Sequence, residues 1–152
     1  MRIVARGLNR GFADILSGET YVLDISSVTV IGASFGGTAA ILSLRDPVIS
    51  RAVALAPVID WTRPGKDEPF PYFLRLLREG FGGAYRTAPG GWKKLQGGKF
   101  YSPQHASMSI DPTRLFLVHA KNDRVVLSAP LREFARKHRI RPLFLEEGGH
   151  LS

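Results

Sequence analysis

The most constraining stretch of the chain runs Val28-Thr29-Val30-Ile31-Gly32-Ala33-Ser34-Phe35-Gly36-Gly37-Thr38. Its β-branched start reads as a strand buried on both faces, as in a parallel sheet. The run stops at glycine, and Thr38 to Leu44 follows as a short helical stretch of small and apolar residues. The turn between them has the pattern G-x-S-x-G, with Ser34 at its apex. A strand-to-helix turn this sharp strains the serine backbone, and Gly32 and Gly36 are read as the neighbours that must lack a Cβ. The turn pushes the Ser34 hydroxyl beyond the carboxyl end of the strand. It also sets the Phe35 N–H at a helix N-terminus, where a developing oxyanion is stabilised.

The rest of the chain repeats the alternation. Arg51 to Ile59 reads as a second buried strand and Leu115 to His119 as a third. Ala129 to Arg139 reads as an amphipathic helix with Pro130 in its first turn, where proline is tolerated. Leu131, Phe134 and Ala135 face inward, and Arg132, Arg136, Lys137 and Arg139 face outward. Pro142 to Leu145 is a fourth strand. Near the start, Ile3 to Ala5 reads as the end of a short strand. Asp14 to Asp24 is weakly helical at best, because Gly18 interrupts it. The alternation predicts an α/β fold with a mostly parallel sheet and flanking helices, built as a single domain over 1–152. Residues 61–110 differ in kind, being rich in Gly, Pro and large aromatics, with a short helix predicted over Tyr72–Glu79. So long an irregular insert is expected to cover a site as a cap.

Composition narrows the function classes. With 152 residues, 44% hydrophobic and 22% charged, the chain is neither disordered nor fibrous. No run of eighteen apolar residues exists, which excludes a membrane-spanning helix. The first seven residues carry no signal-peptide pattern, so a cytoplasmic address is expected. Cysteine is absent, which removes disulfides, thiolate metal sites and a cysteine nucleophile together. The net charge of +8 raises the question of an acidic partner. The cations are spread along the chain, and their densest run, Arg132 to Arg141, reads as a solvated helix face, so nucleic acid is not favoured.

A nucleophilic serine needs a base, and the base needs an orienting acid. Of four histidines, His138 reads as solvated on the basic helix, His119 as a packed residue ending a strand, and His105 as part of the insert. His150, in Glu146-Glu147-Gly148-Gly149-His150, follows the last strand at the same carboxyl end as Ser34 and is the favoured base. Two acids compete. Asp60 follows the second strand, and Asp123 stands in the turn after the third. Asp123 is favoured because its loop adjoins that of His150 in chain order; the alternative role for it is an Asx-turn or helix cap. Trp61, just past the second strand, is the candidate wall of a substrate pocket. This chemistry needs no metal and no organic cofactor.

With these residues in hand, the chain resembles the α/β-hydrolase fold, and more narrowly the catalytic domain of the prolyl oligopeptidase-type serine peptidases and their esterase relatives. Gly32-Ala33-Ser34-Phe35-Gly36-Gly37 resembles the family's nucleophile turn, Tyr101 to Val126 its stretch into the acid-bearing turn, and Glu146 to His150 its terminal histidine loop. The resemblance covers Val28 to His150 and matches the family order of serine, acid, histidine with Ser34, Asp123 and His150. It implies hydrolysis of a small ester or peptide through an acyl-enzyme. Of the family's strands before the nucleophile turn only Met1 to Gly7 can stand for one, and the loop that gives a second oxyanion donor has no counterpart, so the expectation is a truncated α/β-hydrolase. Losing one such donor costs on the order of 100- to 1000-fold in turnover. An unpaired sheet edge is expected to favour a homo-oligomer. The rival expectation is a weak or inert truncated module serving protein or nucleic-acid interaction.

Overall fold

A computed structural model of the chain describes residues 10–22, 24–67, 75–76, 79–82, 94, 97 and 101–151. In place of the weak helix over Asp14–Asp24, it has a small antiparallel ladder of β1 (Phe12–Ala13) and β2 (Thr20–Tyr21). The reason is local. Asp14 Oδ1 accepts from the N–H groups of Leu16 and Ser17 at 2.8 Å each, and this side-chain turn competes with a helical start.

The main sheet holds β3 (Thr29–Ala33), β4 (Arg51–Leu55), β5 (Leu115–Ala120) and β6 (Leu143–Leu145) in that spatial order, all parallel. Parallel neighbours need crossovers. Helix α1 (Phe35–Ser43) supplies one between β3 and β4, and α2 (Ser128–Lys137) supplies another between β5 and β6. Helix α1 starts at Phe35 rather than Thr38, because packing of the turn overrides the poor helix propensity of Gly36 and Gly37. Strand β4 stops at Leu55, short of the predicted Ile59, because Ala56 turns the chain with φ +43°. The strand expected at Ile3–Ala5 lies outside the described residues, as does half of the insert 61–110. Of the helix expected over Tyr72–Glu79, the described residues Arg75, Leu76 and Glu79 are helical, and Arg75 pairs with Glu79 at 3.5 Å.

Strand register sorts the side chains. Val30, Ala52, Ala54, Leu115, Leu117 and Phe144 share one face, and Ile41 of α1 with Leu131 and Phe134 of α2 close over it. Alanine at 52 and 54 leaves room for α1 to lie close to the sheet. Phe134 is fully buried, and burial of a side chain of its size contributes about 1.5–3 kcal/mol. Arg132 does more than face solvent, since its guanidinium lies 4.8 Å above the Phe144 ring. The other face corrects the reading of strands buried on both sides. Ile31 is 69% exposed and Phe116 50%, with Leu143 and Leu145 also exposed. Among the described residues no helix is long and apolar enough to cross a membrane.

His138 corrects another expectation. Instead of pointing into solvent, its ring tilts against Phe134 at 4.5 Å, and its Nε2 is buried without a hydrogen-bond partner among the described residues. Burial pushes its pKa below the ordinary imidazole value, with Lys137 adding to the effect, and burial lowers that of His119 as well. In the unfolded chain both titrate near ~6.5. The folded state therefore has its full stability above that value and loses it as pH falls through the depressed folded values. The melting temperature is expected to drop between about pH 7.5 and pH 5, and His138→Phe should flatten part of that drop; circular dichroism melts across the range check both.

Candidate active site

Ser34 sits between β3 and α1 with φ 51° and ψ −117°. A non-glycine residue there costs about 1–3 kcal/mol and persists only where its surroundings enforce it. The enforcement is visible. Ser34 N–H donates to Leu55 O at 2.9 Å, and Thr38 N–H donates to Ser34 O at 3.2 Å. A Cβ added at Gly32 would stand 2.0 Å from the Gly36 carbonyl oxygen, and one at Gly37 would stand 2.9 Å from Pro57 Cβ. A Cβ at Gly36 would meet nothing within 4 Å. The steric demand thus falls on Gly32 and Gly37. Gly36 was misread because its backbone, rather than its side-chain position, is what approaches Gly32.

Three loops at the carboxyl end of the sheet bring the predicted side chains together. Ser34 Oγ is 3.1 Å from His150 Nε2, and His150 Nδ1 is 2.9 Å from Asp123 Oδ2. With Nδ1–H donating to the carboxylate, Nε2 is free to accept the serine proton. The Asp123 side chain is fully buried and that of His150 is 19% exposed. Asp123 Oδ1 accepts from the N–H groups of Val125 and Val126 at 2.9 and 2.8 Å, so the Asx-turn role and the pairing with His150 coexist on its two oxygens. The rival Asp60 is not brought to His150. Its Oδ1 accepts from Thr62 N–H and Thr62 Oγ1–H at 2.9 and 2.7 Å, and its Oδ2 faces His105 Nε2 at 3.6 Å.

One contributor was missed in the sequence. Asn122 Oδ1 accepts from Gly149 N–H at 2.9 Å, beside the Asp123–His150 contact. Lys121 on its other side donates its N–H to Leu145 O at 2.8 Å and pairs through Nζ with Glu146. Three consecutive residues therefore clamp the histidine loop to the acid turn. The only available signal was an asparagine adjoining the acid in a turn, a residue type that bonds nearby backbone.

Ser34 opens on a small cavity of ≈ 60 Å³, walled by Phe35, Val58, Trp61, Val125 and Leu127. Trp61 is 8% exposed and stacks on Phe35 with centroids 4.9 Å apart and planes 17° from parallel. Its backbone N–H donates to Ser102 Oγ at 3.2 Å and its Nε1–H to Tyr101 O at 3.2 Å, which hold the wall in place. Among the described residues, no group of three or more His, Asp or Glu side chains is gathered as metal ligands would be.

No protein-family model matches the sequence, and no curated protein matches it. Solved structures match in shape. An esterase of Pyrococcus furiosus has a TM-score of 0.55 at 19% identity, over 82% of this chain and 46% of that one. A puromycin-hydrolyzing peptidase of Mycobacterium tuberculosis has a TM-score of 0.52 at 19% identity, over 85% of this chain and 19% of that one. A monoacylglycerol lipase of Paleococcus ferrophilus has a TM-score of 0.50 at 15% identity, over 82% of this chain and 60% of that one. The chain has an α/β-hydrolase fold. The chain spans about half the length of the esterase and less than two thirds of the lipase. Its Ser34, Asp123 and His150 follow β3, β5 and β6, at the carboxyl ends of parallel strands where open α/β sheets bind ligands.

Proposed function

We propose that this chain is a serine hydrolase that cleaves an ester or peptide bond through an acyl-enzyme. One observation carries the reading: an unbroken hydrogen-bond path from Ser34 Oγ through both nitrogens of His150 to the buried Asp123 carboxylate. In the proposed cycle, Ser34 Oγ attacks the acyl carbon while its proton passes to His150 Nε2. Asp123 stabilises the imidazolium formed. The carbonyl π electrons move to oxygen, held by the Phe35 N–H at the start of α1. When the C=O reforms, the bond to the leaving group breaks and His150 gives that group its proton. A water then loses a proton to His150 and attacks the acyl carbon, and as the bond from that carbon to Ser34 Oγ breaks, His150 returns the proton to Oγ. The Phe35–Trp61 stack and the small cavity suit a compact apolar group on the acyl side.

A fluorophosphonate probe tests the assignment directly. Stoichiometric labelling is expected, with the adduct mapped to Ser34 by mass spectrometry; an adduct on another residue would remove it. Asn122→Ala is expected to lower kcat by about 10-fold with KM and melting temperature nearly unchanged, because a loosened loop misplaces His150 without unfolding the sheet. Steady-state kinetics on a short-chain nitrophenyl ester measure this.

The open apolar face favours a second role beside the first. Ile31 and Phe116, with β3 standing at the sheet's edge among the described residues, would pair two copies of the chain. Sedimentation velocity over a concentration series distinguishes a dimer from a monomer.

A further inference from the structure

His119 is fully buried on β5 and takes no part in the Ser34–His150–Asp123 path. Its Nδ1 lies 2.8 Å from the Ala120 carbonyl oxygen. A carbonyl can only accept, so Nδ1 carries the proton, and in the neutral ring Nε2 is a bare lone pair. That Nε2 is buried, has no hydrogen-bond partner among the described residues, and stands 3.9 Å from Asp123 Oδ2. The same Oδ2 accepts the His150 Nδ1–H at 2.9 Å. A buried polar atom left unpaired is uncommon in a folded protein and calls for a physical reason.

We propose that His119 is a positioning residue for the acid: its bare Nε2 occupies the remaining approach to Asp123 Oδ2, keeps a second donor away, and leaves that oxygen to His150. The carboxylate already accepts two backbone N–H groups on Oδ1. A further donor on Oδ2 would spread its charge and weaken its hold on the imidazolium. The charged and titratable groups facing the ring are Asp123 in the turn after β5, His150 in the loop after β6, and Arg132 on α2. Burial favours the neutral ring. Asp123 pulls toward protonation, while His150 and Arg132 oppose it. The geometry stands by itself, whereas its consequence for turnover rests on the hydrolase reading.

Two variants separate this role from packing. His119→Gln places an amide donor beside Oδ2, and His119→Phe fills the volume with neither donor nor acceptor. The His150 Nδ1–H proton resonance is expected to move upfield in His119→Gln and to stay near its wild-type position in His119→Phe. kcat on a nitrophenyl ester is expected to fall about 10-fold in His119→Gln with KM unchanged, and by clearly less in His119→Phe, which fills the volume without bringing a donor. Equal behaviour of the two folded variants in both measurements overturns the proposal. Absence of turnover in wild type would sink the hydrolase reading alone, since the proton resonance still decides the role of His119. Should His119→Gln not fold, the wild-type ring suffices: nitrogen-15 spectra must show Nδ1 protonated and Nε2 bare, and an Nε2–H tautomer near pH 7.5 overturns it.

Discussion

Replacing Ser34 by alanine is expected to lower kcat on the order of a millionfold, with KM and melting temperature close to wild type. The substitution removes one oxygen and leaves the Cβ, so the backbone at φ 51° carries the same strain. His150 keeps its partner Asp123 at 2.9 Å. In the proposed cycle only the atom that bonds to carbon is lost, and no other step can compensate. The residual rate reports what oxyanion stabilisation and binding do alone, on the order of 1000-fold over water when such a path is broken. Burst kinetics on a nitrophenyl ester and fluorophosphonate labelling measure the loss independently. Turnover or labelling that survives in Ser34→Ala would place the chemistry elsewhere.

Gly32→Ala is expected to destabilise the fold by about 3 kcal/mol or more, a large share of the 5–15 kcal/mol typical of a domain. The new Cβ would lie 2.0 Å from the Gly36 oxygen and 2.3 Å from the Gly36 carbonyl carbon. Both are backbone atoms, so no flexible side chain can swing aside. Relief requires α1 to move away from β3, and α1 carries Ile41, which is fully buried in the core. Gly36→Ala is the control: its Cβ meets nothing within 4 Å, and alanine is favoured in a helix by about 1 kcal/mol over glycine. Urea denaturation of the two variants measures the contrast. Similar stabilities would mean that the strand-to-helix turn is not held as tightly as these contacts require.

Residues that act through local chemistry were legible. The β-branched run into Gly32, the helix after it, and the inward stripe of Leu131, Phe134 and Ala135 follow from propensity and period over a few neighbours. The hairpin at Phe12–Tyr21 was not legible as such, because two-residue strands carry no period. Asp14, whose side chain closes the turn, was also read inside a weak helix. His138 belongs to the run of cations on α2, yet its ring turns back onto Phe134. That direction depends on what lies beneath the helix. Gly36 looked equivalent to Gly32 in the pattern, and only coordinates separate a backbone that approaches from a side-chain position that is approached.

The amino-acid sequence by itself determined the α/β alternation, the serine at the apex of a sharp turn, and a short list of bases and acids. Each of these is a property of adjacent residues and survives without knowledge of neighbours in space. The tertiary structure decided which members of the list meet. Ser34 and His150 lie 116 positions apart and come within 3.1 Å only because β3, β4, β5 and β6 align in one parallel register with their carboxyl ends together. The same register chose Asp123 over Asp60, brought Asn122 to Gly149, set His119 against the acid, and left Ile31 and Phe116 facing water. Strand order is a choice among whole-chain arrangements that bury the most apolar surface, and no short window of sequence contains that sum.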